Sequence, residues 1–330
     1  MAMTPHETIA VVIPCYKVTR HILGVLQRIG PECTHIFVVD DCCPEGTALL
    51  VEQKSNDPRI RVVRHHENQG VGGAVITGYR AAIDSGASVI VKIDGDGQMP
   101  PELLPKFVAP IQNGTADYTK GNRFYDLANL RRMPTARLFG NAVLSFAAKL
   151  STGYWDLFDP TNGYTAISAE VAKRLPLGKL SPRYFFETDI LFRLNTLRAV
   201  VVDVPMDAVY EDESSNLRIS HIIGEFLYKH LRNFLKRIFY NYFLRDFSAA
   251  SIELLAGVIL SLFGASYGIV TFMHSLAAHQ ATPAGTVMVA ALPLLVGIQL
   301  LIAFLNYDIA TVPRRPIHSA LVDRNAHRQA

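Results

Sequence analysis

The sequence predicts an α/β protein: a mostly parallel, doubly wound sheet, followed by an amphipathic helical stretch and two membrane-spanning helices. Three observations lead there. Residues 8–123 alternate strand-like and helix-like runs, a pattern that means parallel strands joined by crossover helices. Polar signals stand at the ends of three of those strands, on the edge where open sheets bind ligands. Two apolar runs near the C-terminus, Ser251–Met273 and Ala284–Leu305, are each long enough to cross a hydrocarbon core of about 30 Å as a helix.

Composition agrees with a membrane-associated chain. At 330 residues there is material for one large or two ordinary domains, and 49% of the residues are hydrophobic. Mean hydropathy is positive. The net charge of +3 makes no global case for nucleic-acid binding. Cys15, Cys33, Cys42 and Cys43 lack zinc-ligand spacing and read as reduced, packed thiols. The first residues, Met1 to Glu7, show no charged segment followed by an apolar one, so no cleaved signal is expected and the first half should be cytosolic.

In order along the chain, Thr8–Ile13, His35–Asp40, Arg61–Arg64, Ser88–Ile93 and Ala116–Lys120 read as strands, with helices near 19–29, 45–55, 71–85 and 101–113. Pro14-Cys15-Tyr16 follows the first strand and Asp40-Asp41 ends the second. The fourth is the most informative. A β-branched run stops in Asp94-Gly95-Asp96-Gly97-Gln98, and on an extended backbone the two carboxylates point the same way, so both could hold one hard cation. Taken alone, the same residues make an ordinary Asp-Gly turn. Gly70-Val71-Gly72-Gly73 opens the third helix and fits either phosphate contact or plain loop packing. Val75 stands where a dinucleotide fingerprint needs its third glycine.

Beyond residue 123 the periodicity predicts a helix over 133–150, carrying Arg137 and Asn141 one turn apart on one face. An acidic turn, Asp159-Pro160-Thr161-Asn162-Gly163-Tyr164, comes next. Glu187 then opens an apolar helix, and Ala199–Val204 reads as an edge strand. Residues 222–243 carry an apolar stripe opposite Lys229, Arg232, Asn233, Lys236, Arg237 and Asn241, the pattern of a helix lying in a membrane interface. The link His274–Pro283 has no Lys or Arg while both flanks do, which places both flanks in the cytoplasm. The chain therefore divides into a catalytic-type domain (1–216), a juxtamembrane helical stretch (217–246), two membrane helices (247–308) and a cytoplasmic tail (309–330).

Four segments, Val12-Ile13-Pro14-x-Tyr16, Val39-Asp40-Asp41, Asp94-Gly95-Asp96-Gly97-Gln98-x-Pro100 and Gly121-Asn122-Arg123, together resemble the inverting family 2 glycosyltransferases of GT-A fold. With the membrane appendage, the resemblance is to the group that loads sugars onto dolichyl or undecaprenyl phosphate. It implies that Pro14 and Tyr16 flank the nucleotide base, that Asp40 or Asp41 reads the base or ribose, and that Ser215 touches the donor phosphates. Asp94, Asp96 and Gln98 would hold Mg²⁺ or Mn²⁺ on the donor diphosphate. Arg123, Arg137 and Asn141 would gather the acceptor phosphate, and Asp159 would act as a base or as an orienting group. Asp96, Arg123 and Asp159 form the implied catalytic set, with Gly70 on the donor side.

Three positions depart from the family pattern: Val18, Thr165 and Asn216 stand where Glu, Arg and Lys are usual. The implied reaction is metal-dependent, inverting transfer from a UDP- or GDP-sugar to a polyprenyl phosphate at the cytoplasmic membrane face. Homo-oligomerisation through the membrane helices stays open. Two alternatives remain, a transferase acting on a lipid-linked oligosaccharide and a non-catalytic membrane protein that binds nucleotide sugars. A processive polysaccharide synthase is disfavoured, because the sole tryptophan, Trp155, lacks the Gln-x-x-Arg-Trp context of those enzymes.

Overall fold

In the computed structural model, which describes residues 8–125, 135–207 and 219–321, seven strands form one sheet in the order β3-β2-β1-β4-β6-β5-β7. The strands are β1 (Ile9–Cys15), β2 (Cys33–Asp40), β3 (Ile60–Arg64), β4 (Val89–Lys92), β5 (Tyr118–Asn122), β6 (Thr165–Ser168) and β7 (Val201–Pro205). Strands β1 to β4 run parallel, joined by α1 (Ile22–Arg28), α2 (Thr47–Lys54) and α3 (Val71–Asp84), as the alternation predicts. Both faces of β1 and β4 are buried, and their Val and Ile residues fill the core between the helical layers. Helix α4 (Leu104–Gln112) adds Phe107, whose ring stacks on Tyr164 at 3.9 Å between centroids. The 199–204 strand forms at the sheet edge as β7, parallel to β5.

One strand has no counterpart in the sequence reading. Thr165–Ser168 inserts between β4 and β5 and runs antiparallel to both. Its first residue, Thr165, pairs with Lys92 of β4 and with Lys120 of β5. That reversal carries the 159–164 turn to the carboxyl ends of two parallel strands, beside Asp94. Four residues of strand are too few to show a period, which is why the run escaped notice.

Later helices are α5 (Thr135–Thr152), α6 (Ala169–Ala172), α7 (Phe186–Leu197) and α8 (Ile219–Phe239), followed by α9 (Ala249–Ala277) and α10 (Ala284–Ala310). The chain forms two compact units, Met1–Phe234 with Pro313–Ala330, and Leu235–Val312. Helix α8 is amphipathic, but part of its polar face is occupied by protein. In the first unit, buried Asn233 donates to Asp189 Oδ1 at 3.0 Å. In the second, buried Arg237 meets Asp308 through Nη1–Oδ1 at 2.6 Å and Nη2–Oδ2 at 3.0 Å. Two members of the expected polar face are thus turned into protein: Asn233 joins Arg193 and the Ser181 N–H on Asp189, and Arg237 joins the Tyr242 hydroxyl on Asp308. The exposed side carries Leu227, Leu231, Leu235 and Phe239, four residues apart.

Within the second unit, α9 and α10 pack through small residues. A Cβ on Gly264 would lie 2.6 Å from the Ala290 carbonyl oxygen, and one on Gly297 would lie 2.6 Å from the Ser261 nitrogen. Both helices are long and apolar enough to cross a membrane, so both are candidate membrane spans. Segment 313–321, expected as tail, belongs to the first unit. There Asp117, fully buried, accepts N–H bonds from Val200, Ile317 and His318.

Candidate active site

The carboxyl ends of β4 and β5, together with the 159–164 turn, build a polar crevice. On the β4 side Lys92 is buried within the strand. Its Nζ lies 2.9 Å from Asp94 Oδ1 and 3.1 Å from Glu187 Oε1, which stands in the first turn of α7. Burial alone would push the Lys92 ammonium down, but Asp94 and Glu187 outweigh it and hold the pKa above the usual lysine value. Asp96 lies two residues on, and its Oδ1 accepts the Gln98 N–H at 3.0 Å. Gly97 between them has φ +85°, a left-handed conformation that glycine adopts without strain.

On the β5 side Arg123 grips Asp159. Nε donates to Oδ2 at 2.7 Å and Nη2 to Oδ1 at 3.0 Å, a bidentate fork. Asn162 Nδ2 donates to the same Oδ2 at 3.2 Å. Burial would raise the Asp159 pKa, yet the hydrogen bonds from Arg123 and the charge of Lys120 pull it below the ordinary carboxylate value. Lys120 is itself buried, donates to the Asn162 carbonyl at 2.7 Å, and is pushed down to about 8 by that burial. On β7, Asp203 accepts from Asn122 Nδ2 at 3.0 Å and from the Phe158 N–H at 3.1 Å; burial raises its pKa.

Several residues expected at the site fall elsewhere in the division of labour. Both Asp40 oxygens are engaged by backbone, taking the Cys43 N–H at 2.7 Å and the Ala48 N–H at 2.8 Å, so Asp40 orders the entry to α2. Asp41, also buried, receives His65 Nδ1 at 2.7 Å and the N–H groups of Gln69 and Gly70 at 2.8 Å each. Of the two readings of Gly70, these contacts favour loop packing. Its N–H is bound to Asp41, and a Cβ there would lie 2.6 Å from the Pro182 carbonyl oxygen, so the loop is packed against protein. Pro14 lies in β1, and Tyr16 follows it on the surface, 45% exposed, with Lys17 Nζ 5.5 Å from its ring centre. Cys43 Sγ accepts the Lys17 N–H at 3.1 Å, so this thiol shapes the same loop. Ser215 lies outside the described residues, as do the side chains of Arg137 and Asn141 on α5.

The proposed cation set is Asp94, Asp96 and Gln98. Among the described residues no three His, Cys, Asp or Glu side chains converge as a self-sufficient metal cage. Two carboxylates and an amide oxygen are nevertheless the hard donors that Mg²⁺ or Mn²⁺ accepts when a diphosphate and water complete its shell. The residues fit such an ion, with Asp94 shared between that task and Lys92.

Sequence reasoning missed Lys92, Lys120 and Gly163. A signal existed for the lysines: each interrupts a run whose neighbours are all buried, Val-Ile-Val-Lys in β4 and Tyr-Thr-Lys in β5. A charge in such a strand needs a partner, and Asp94 stands two residues away on the same side.

Comparison with known proteins agrees with this geometry. Residues 10–175 match the family model for glycosyl transferase family 2. The undecaprenyl-phosphate mannosyltransferase of Micrococcus luteus is 30% identical over 65% of this chain and 88% of its own. The UDP-N-acetylglucosamine–dolichyl-phosphate N-acetylglucosaminyltransferase of Methanococcus voltae is 27% identical over 66% and 92%. Among solved structures, glucosyl-3-phosphoglycerate synthase from Mycobacterium tuberculosis in complex with UDP superposes with a TM-score of 0.52 at 20% identity, covering 70% of this chain and 80% of that one. The sheet order, the crevice at the strand ends and a family match over half its length lead to one conclusion: the chain belongs to glycosyl transferase family 2.

Proposed function

We propose that the protein transfers a sugar from a nucleoside diphosphate sugar to the phosphate of a polyprenyl phosphate, with inversion, on the cytoplasmic face of a membrane. The observation that carries this reading is the Arg123–Asp159 pair. Asp159 is 1% exposed, is held bidentately and has a lowered pKa, so it is a poor proton acceptor. A hydroxyl acceptor needs a base at this place. A phosphate brings its own negative charge, and the guanidinium that Asp159 orients is the group that gathers it.

The chemistry then needs no proton step. A phosphate oxygen of the acceptor attacks the anomeric carbon and forms the new C–O bond. The bond from that carbon to the donor diphosphate breaks, and the nucleoside diphosphate leaves with the electron pair. Asp94, Asp96 and Gln98 would hold the divalent cation, which as a Lewis acid neutralises charge on the leaving diphosphate. Tyr16, exposed at the end of β1, offers a ring for the base, and Arg123 positions the acceptor. Arg137 and Asn141 are proposed to extend the acceptor site, and Ser215 the donor site. The relatives that act on undecaprenyl and dolichyl phosphate support this acceptor class, and the two apolar helices, as candidate membrane spans, would hold the chain in the bilayer where such a lipid resides.

The test is transfer of radiolabel from UDP- and GDP-sugars to polyprenyl phosphate by full-length protein in detergent. Label should appear in the lipid phase with Mg²⁺ or Mn²⁺ and disappear with a chelator. Chelator-insensitive transfer sinks the metal assignment, and label moving only to lipid-linked oligosaccharide sinks the acceptor.

A further inference from the structure

We propose that Lys92 is a positioning residue for the donor: its buried ammonium draws Asp94 and Glu187 onto one cation and so fixes the Asp94 carboxylate against the Asn162–Gly163 backbone. The proposal rests on the reading of Asp94 and Asp96 as the donor side of a glycosyltransferase. Lys92 is 1% exposed in a strand whose other residues are Val and Ile. An ammonium buried there costs several kcal/mol unless it is paired, so packing alone does not account for it. The pairing is complete, at 2.9 Å to Asp94 and 3.1 Å to Glu187.

That lysine ties together three segments that are far apart in the chain. Asp94 lies two residues beyond β4, Glu187 in the first turn of α7, and Gly163 in the turn before β6. Gly163 is what lets them meet. A Cβ there would lie 2.5 Å from Lys92 Nζ and 2.5 Å from Asp94 Oδ2, so any side chain would push the pair apart. Lys120, on β5 across the intervening β6, anchors the adjoining Asn162 carbonyl at 2.7 Å, which holds the turn in place against the pair. Glu187 has the residue type of a general base and sits beside the crevice, but Lys92 claims it. Its role is to share the ammonium and thereby set the reach of Asp94.

The experiment uses full-length protein in detergent. Calorimetric binding of UDP and of GDP, each with Mn²⁺, is measured beside steady-state transfer. Lys92→Met should weaken diphosphate binding and raise the donor KM tenfold or more, with the acceptor KM within twofold. The double variant Lys92→Met/Glu187→Gln guards against misfolding by removing the surplus buried carboxylate, and should show the same donor defect. Glu187→Gln alone leaves the ammonium to Asp94 and should raise the donor KM by a few-fold, with the acceptor KM within twofold.

Diphosphate binding within twofold of wild type in either Lys92 variant overturns the proposal. So does a hundredfold loss of kcat in Glu187→Gln at unchanged donor KM, which would make Glu187 a catalytic group. Wild-type protein that binds a diphosphate but transfers nothing to polyprenyl phosphate overturns the acceptor reading and leaves the Lys92 comparison standing. Wild-type protein that binds neither diphosphate overturns both.

Discussion

The two ion pairs of the crevice are built in opposite senses. On β4 the cation is buried and the carboxylate reaches out: the Lys92 side chain is 1% exposed and that of Asp94 28%. After β5 the carboxylate is buried and the cation reaches out, with Asp159 at 1% and Arg123 at 31%. In each case the hidden partner fixes the direction of the presented group. On the proposed function, the presented charges would suit their ligands, negative on the donor side for a cation-bearing diphosphate and positive on the other for a phosphate. The two anions would then be told apart because one arrives with its metal and the other without.

The contrast is broken most severely by Arg123→Ala. That change removes the presented cation and leaves Asp159 buried without its fork, a loss of about 3–5 kcal/mol in stability for pairs of this kind. Acceptor kcat/KM should fall by about a hundredfold or more, equivalent to roughly 3 kcal/mol at 1.4 kcal/mol per tenfold. Diphosphate binding should stay within about threefold, the scale of a bystander contact. Steady-state kinetics with varied polyprenyl phosphate, beside calorimetry with UDP and Mn²⁺, separates the two. Equal losses on both sides would show that the pairs do not divide the work.

Asp159→Asn is milder and more discriminating. The amide keeps the shape but gives up the charge that orients Arg123, so the acceptor KM should rise about tenfold, a charge-assisted bond reduced to a neutral one. The rate should not collapse across the whole pH range. A uniform loss of about a thousandfold or more, the scale on which a general base acts, would return Asp159 to the role of proton acceptor. Gly163→Ala comes next. Its Cβ meets both Asp94 and Lys92, while the neighbouring Asn162 side chain bonds Asp159. Donor and acceptor KM values should therefore move together by a few-fold, unlike in either substitution above. A change confined to the acceptor KM would show that the turn does not link the pairs.

How much of this was legible in the sequence follows from what each residue depends on. The β1–β4 framework and the Asp94-Gly95-Asp96 strand end are local patterns, and both appear where the alternation of apolar and polar runs places them. Acidic residues could be picked out, but their assignments could not. Asp40 and Asp94 look alike in sequence, each ending an apolar strand. Asp40 then meets two backbone N–H groups of its own loop, whereas Asp94 meets a lysine from its own strand. Which happens depends on where the following loop turns. Arg123 and Asp159 are 36 residues apart, and only the reversed strand β6 brings them together. The polar face of α8 posed the same problem: periodicity finds a face, but not the Asp189 or Asp308 that covers part of it.

A buried histidine supplies the smallest test and sets the charged pairs against a neutral one. His230 on α8 is 5% exposed, shares a 2.8 Å hydrogen bond with Ser151 Oγ, and packs edge-on to Phe185. Burial pushes its pKa down to about 4. A histidine whose folded pKa lies below its unfolded value of about 6.5 contributes stability that is fully present above that pH. The contribution is lost as pH falls from 6.5 toward 4, because the unfolded chain takes up the proton first. Asp159 has a lowered carboxylate pKa, so its contribution is lost only below about pH 4, where unfolded aspartate begins to protonate. Melting curves of wild type and His230→Gln between pH 7 and 4 read the difference. The glutamine can keep a bond to Ser151 but does not titrate. One group changes stability by at most about 1.4 kcal/mol per pH unit, so the wild-type melting temperature should fall by no more than about 5 °C per unit relative to the variant. Parallel curves would mean that His230 is not held neutral in the fold.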